Sequence, residues 1–164
     1  MVKIGIGQDS HRFDKFNKKK KLILGGVVID QAYPFISNSD GDVVFHAITN
    51  AISGITGINI LGAVADRMCK QGIVDSKQYL IEAIKYLSGM DYKITHISIS
   101  VECKIPMLSP YIEMIKKKIV EIAGISYRDV GITVTSGEGL TPFGKGEGVQ
   151  AIAVVTAIKN NNEI

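Results

Sequence analysis

The sequence predicts a mixed α/β fold: one domain built on a mixed sheet, with helices packed on one or both faces. Segments that alternate apolar and polar residues interleave with segments whose apolar residues recur at helical spacing. Glycines and Ser/Asp caps mark the joints between them. The chain has 164 residues, the size of one domain, and is 46% hydrophobic and 21% charged, as folded chains are. With 7% aromatic residues and no Trp, its core must be built mainly from Ile, Val, Leu and Ala.

Val2, Ile4 and Ile6 alternate with Lys3, Gly5 and Gly7, which predicts a first strand ending near Gln8. Lys18–Lys21 reads as a solvated connection, and residues 22–29 (LILGGVVI) as a strand or hairpin broken by a glycine pair. Ser39 and Asp40 are good caps for a helix over about 42–54, with Val44, Ala47, Ile48, Ala51, Ile52 and Ile55 as its apolar stripe. Gly54, Gly57 and Gly62 then predict loop and turns over 56–74. Asp75 or Ser76 starts a second helix running to about Leu87, with Leu80, Ala83, Ile84 and Leu87 inward and Gly89 stopping it. Residues 94–102 alternate as a strand, with Ile97, Ile99 and Val101 on one face and His96, Ser98, Ser100 and Glu102 on the other. Ser109-Pro110 predicts a cap and first helical residue for a helix whose stripe is Ile112, Ile115, Ile119 and Ile122, ended by Gly124. Strands follow at about 130–136 and 148–158, around a glycine-rich stretch, 137–148.

A net charge of +3 is too small to imply a nucleic-acid partner. Two cysteines, Cys69 and Cys103, without a CxxC pattern fit a reducing cytoplasm. No apolar leader or membrane-length apolar run is expected.

Three clusters carry candidate chemistry. Asp9 and His11, two apart on an extended segment, project to the same side and suit a divalent metal such as zinc. Asp42, His46 and Asn50 fall on one polar side of the first helix, so His46 can complete a three-ligand zinc set with an open fourth position. In Thr133–Gly148, glycines allow close approach of backbone N–H groups to anionic oxygens, hydroxyls add donors, and Glu138 can hold a hard cation. A flexible hairpin loop is the plainer reading of that stretch. His96 is assigned to the surface or a subunit contact, and Glu147 to a structural role.

Together, IGIGQDSHRFD, SNSDGDVVFHAITNAISG and TSGEGLTPFGKGEGVQA resemble the 2-C-methyl-D-erythritol 2,4-cyclodiphosphate synthase family, nearly end to end. The resemblance implies an α/β (α+β mixed) single domain, residues 1–164, with helices packed on one side of a mixed sheet. It also implies a cytoplasmic homotrimer with active sites at subunit interfaces. Its substrate would be a small cytidine diphosphate, 4-diphosphocytidyl-2-C-methyl-D-erythritol 2-phosphate. The substrate's 2-phosphate attacks the β-phosphorus and expels CMP, a step of non-mevalonate isoprenoid biosynthesis that involves neither nucleic acid nor membrane.

By the same resemblance, Asp9, His11 and His46 would hold Zn²⁺ or a similar metal, and Glu138 would hold Mg²⁺ or Mn²⁺. Asn38 and Ser136 would stabilise the transition state. Thr135, Ser136 and Lys145 would contact phosphate, and Ser39 and Gly62 would belong to the substrate site. Cys103–Ser109, including Met107 and Leu108, would hold the cytosine, largely through backbone groups. Several positions depart from the family pattern. Asn38 stands for His, Asn50 for Asp, Ser136 for Thr and Lys145 for Arg; Ile60 stands for the ribose-binding Asp, Asp66 approximates a later loop Asp, and Phe143 is shifted by one. Two other readings use the same residues: a metal-dependent phosphohydrolase of a nucleotide diphosphate, and a non-catalytic metal- and nucleotide-binding trimer.

Overall fold

The structure, a computed structural model, describes residues 1–30 and 32–160. Along the chain come β1 (Val2–Arg12), the hairpin strands β2 (Leu22–Leu24) and β3 (Val27–Ile29), α1 (Val43–Thr56), α2 (Ala65–Lys70), α3 (Ser76–Gly89), β4 (Tyr92–Glu102), α4 (Ile112–Ala123), β5 (Val130–Thr135) and β6 (Gly148–Lys159). The main sheet has the order β1-β6-β4-β5. Its pairs are antiparallel except β4–β5, so the sheet is mixed as expected. Helices cover one side: α1 lies on β1 and β6, α3 beside α1, and α4 near β5.

The face that the helices cover is decided by size. In β1 the buried side is the glycine side, Gly5 and Gly7, while Ile4 and Ile6 are 68% and 71% exposed. A Cβ on Gly5 would collide with the Ala51 carbonyl, and one on Gly7 with the Ala47 carbonyl. The α1 backbone therefore rests directly on the strand, and Ala151, Ala153, Val155 and Ala157 of β6 continue this small-residue floor. The opposite sheet face carries Ile4, Ile6 and the half-buried Ile152 and Val154, and none of the helices of the described residues covers it.

Several boundaries differ from expectation. β1 does not end near Gln8: its ladder with β6 continues to Arg12↔Gly148, so Asp9 and His11 lie within the strand. The cap of α1 is neither Ser39 nor Asp40 but Asp42, whose carboxylate accepts from Val44 and Phe45 N–H. Asp42 is fully buried, and it also accepts from Gly25 and Gly26 N–H at 2.8 and 2.7 Å, which ties the hairpin turn to the helix start. It is therefore not on a polar side with His46. Burial pushes its carboxyl up to about 6, opposed by the backbone N–H groups that favour the ionised form.

The segment 56–74 is not all loop: a π-helical turn at Ile60–Val64 runs into α2. Ser109 caps nothing; Ser109–Tyr111 form a 3-10 turn ahead of α4. In the predicted stripes, Ile84, Ile112 and Ile122 are half-buried rather than buried. Lys20 leaves the solvated run. Its ammonium donates to the carbonyls of Phe35, Ser37 and Ser39 and to Ser37 Oγ, clamping the loop before α1. Among the described residues, no helix is long and apolar enough to cross a membrane.

Gly7→Ala is expected to cost about 3 kcal/mol through overpacking and to lower the thermal midpoint by roughly 6–12 °C. Gly89, with nothing near an added Cβ, should accept Ala with a change within about 0.5 kcal/mol in the same calorimetric comparison.

Candidate metal centre and active site

The close seating of α1 on β1 brings His46, one turn into the helix, against the second half of the strand. Asp9 and His11 follow Gly5 and Gly7 on the same side of β1. Asp9 Oδ2 lies 2.9 Å from His46 Nδ1 and 3.4 Å from His11 Nε2. One ligand atom from each residue falls within 4.8 Å of the others. One helical turn beyond His46, Asn50 donates to the Gln8 carbonyl at 3.0 Å and pins the same contact.

The donor set fits a divalent cation. His11 Nε2 is buried and has no hydrogen-bond partner. Burial pushes the His11 imidazole below its ordinary value, against the opposing pull of Asp9, and so favours the neutral form that ligates metals. A carboxylate and two imidazole nitrogens converging from a strand and a helix form a three-ligand set suited to zinc, with room for an exogenous ligand.

A cavity of about 480 Å³ opens on the three residues and is lined also by Asn38, Ser39, Asn50, Asn59 and Asp66. Asn38 and Ser39 thus share a cavity with the three candidate metal ligands. Ile60 is fully buried, so that position contributes core rather than a polar contact, while its neighbour Asn59 faces the cavity. Gly62 lies in the adjoining π-helical turn.

The remaining predicted residues gather elsewhere, beyond the ends of β4 and β5. Cys103 N–H donates to the Thr135 carbonyl at 2.9 Å, which joins the 103–109 loop to the strand that leads to Ser136. Ser136 Oγ donates to Glu138 at 3.0 Å, and Glu138 is exposed with a left-handed backbone, φ 49°. Glu102 accepts from Thr141 Oγ1 and so holds the glycine-rich loop closed. Cys103 and Leu108 are buried. The Cys103 thiol donates to the Ile105 carbonyl, and burial pushes it up to about 12. Met107, Ser109 and Lys145 are exposed. None of this second group lines the cavity that holds Asp9, His11 and His46. As expected, His96 is exposed. Glu147 pairs with Arg12 at 2.7 Å, a structural use.

Residues 2–158 match the family model described as the YgbB family. The chain belongs to the YgbB family. Among curated relatives, the 2-C-methyl-D-erythritol 2,4-cyclodiphosphate synthase of Chlamydia muridarum is 49% identical over 160 residues, covering 97% of this chain and 89% of the relative. The enzyme of that name from Chlamydia caviae is 46% identical over 163 residues, covering 99% and 92%. Among solved structures, the synthase of Plasmodium vivax superposes with a TM-score of 0.83 at 28% identity, covering 98% of this chain and all of that one. The IspF of Plasmodium falciparum in complex with CDP gives 0.85 at 26%, covering 98% and 97%.

Sequence reasoning did not find Asp40 and Ser76 beside His46, nor Asn59 in the cavity. Ser76 was visible only as a cap candidate; no spacing links it to His46, thirty residues earlier.

Zinc at one hundred times its Kd is expected to stabilise the protein by about 2.7 kcal/mol, a rise in thermal midpoint of roughly 5–11 °C. His11→Ala should abolish most of that rise in differential scanning fluorimetry.

Proposed function

We propose that the chain converts 4-diphosphocytidyl-2-C-methyl-D-erythritol 2-phosphate to 2-C-methyl-D-erythritol 2,4-cyclodiphosphate and CMP, within isoprenoid biosynthesis. The observation that carries this is the convergence of Asp9, His11 and His46 on one cavity with Asn38 and Ser39, in a chain of this family. The 2-phosphate oxygen forms a bond to the β-phosphorus, the bond to the bridging oxygen breaks, and CMP leaves with that electron pair. Both reacting groups belong to one substrate, so the protein's task is positioning and charge stabilisation.

A divalent cation, which we take to be zinc, would be held by Asp9, His11 and His46 and would supply Lewis-acid polarisation of a phosphate oxygen. The chain's own groups orient the rest. The Asn38 amide faces the cavity and donates to the transferring phosphoryl group, and Ser39 lies beside it. Thr135 and Ser136 hydroxyls donate to phosphate oxygens, and Lys145 adds a point charge without the bidentate geometry of an arginine. Glu138 would hold Mg²⁺ or Mn²⁺ on the diphosphate. Backbone groups of Cys103–Ser109, beside the exposed Met107 and buried Leu108, recognise the cytosine, and Gly62 admits the nucleotide to the neighbouring turn.

We read residues 1–164 as one catalytic domain of a cytoplasmic homotrimer. Two observations support the trimer. The metal-side and loop-side residues stand apart in a single chain, so a neighbouring copy is needed to join them. The open sheet face presents Ile4 and Ile6 uncovered, the kind of apolar surface that association buries. Free Cys69 and Cys103 suit the cytoplasm.

With zinc and Mg²⁺, the purified protein is expected to release CMP and give the cyclic diphosphate by ³¹P NMR and mass spectrometry. A linear hydrolysis product would refute the cyclase reading, and His46→Ala should lower turnover by at least about 100-fold. Ile6→Lys should convert a trimer into monomers by sedimentation velocity and remove activity together with it.

A further inference from the structure

We propose that Ser76, oriented by Asp40, is a positioning residue that fixes which nitrogen of His46 faces the cation. The inference rests on the reading of Asp9, His11 and His46 as a cation site. His46 Nε2 lies 2.7 Å from Ser76 Oγ, and Ser76 is fully buried. The hydroxyl donates to Asp40 Oδ1, and Ser76 N–H donates to Asp40 Oδ2 at 3.0 Å.

A serine hydroxyl has one proton to donate. With that proton directed at a carboxylate, Oγ offers only lone pairs to the imidazole. Nε2 must then carry the ring's proton, which leaves the Nδ1 lone pair directed at Asp9 and the metal position, 2.9 Å from Asp9 Oδ2. Two acceptors at that separation are mutually unfavourable unless a metal cation, or in its absence a second ring proton, lies between them. The Asp40–Ser76 pair thus prepares a ring that is complementary to a cation.

Asp40 is itself held by two backbone bonds. Asp40 Oδ1 accepts from Asp42 N–H at 3.1 Å, at the start of α1, and Asp40 N–H donates to the Val74 carbonyl at 3.0 Å, just before α3. Ser76 opens α3, a helix that supplies no ligand. The ring is braced from the side opposite the site, while Tyr79, whose ring centroid is 6.1 Å from that of His46, spends its hydroxyl on the Ile73 carbonyl and does not compete.

The test is zinc titration of the full chain by calorimetry, with Ser76→Ala and Ser76→Thr. Removing the brace is expected to weaken zinc binding by about 10- to 100-fold, as loss of such partners does elsewhere, and threonine should recover it to within about threefold. In the zinc-loaded wild-type protein, ¹H–¹⁵N spectra should show a His46 Nε2–H protected from exchange, and Ser76→Ala should lose that protection. Asp40→Asn gives the same reading if Ser76→Ala does not fold, with zinc binding weakened at least about fivefold. Zinc binding within twofold of wild type in Ser76→Ala, or an unprotected Nε2–H in the loaded wild-type protein, overturns the proposal. A wild-type protein that binds no zinc overturns instead the cation-site reading on which it rests.

Discussion

The backbone of α1 lies on the backbone of β1, and the rest of the molecule is arranged around that contact. Only a strand without Cβ atoms at Gly5 and Gly7 lets the Ala47 and Ala51 carbonyls approach so closely. The distance between helix and strand sets the distance between their side chains further along. His46 meets Asp9 at 2.9 Å because two residues without side chains precede Asp9 on the same face. A larger residue at Gly7 would lift the helix and part His46 from Asp9 and His11 without any of the three being changed.

Buried and half-buried polar groups then lock the start of that helix in place. Asp42 accepts from four backbone N–H groups, two of them in the hairpin turn, and Lys20 gathers the carbonyls of the loop ahead of it. Asp40 and Ser76 connect the starts of α1 and α3 behind His46. Each group is hydrogen-bonded, so each holds geometry without leaving an unsatisfied polar group inside. The loop that carries Asn38 and Ser39 is therefore fastened on both sides of the residues that face the cavity.

Much of this was legible in the chain. Alternation marked the long strands, helical stripes marked α1, α3 and α4, and Gly25-Gly26 marked the hairpin. The Asp9/His11 pair was visible because a two-residue spacing on a strand places side chains together wherever the strand lies. Other features were not. Asp40 and Asp42 are equally good caps by type, and the choice fell to Asp42 because the hairpin turn offers it two further N–H groups. The strand β1 reaches Arg12 because β6 supplies partners as far as Gly148, which no local preference of Asp9–Arg12 indicates. The short α2 was hidden because Gly54, Gly57 and Gly62 make the whole stretch read as loop.

The sequence by itself determined most of the elements, the family motifs and the chemistry available: a strand carboxylate and imidazole, a helical imidazole, and a hydroxyl- and glycine-rich loop. Local spacing and residue type suffice for these, since they depend on residues a few positions apart. Tertiary structure decided which face of β1 is covered, which acid caps α1, and that Ser76 stands behind His46. Those outcomes depend on packing distance and on which backbone N–H groups remain free to bond, and both are set only when distant segments meet.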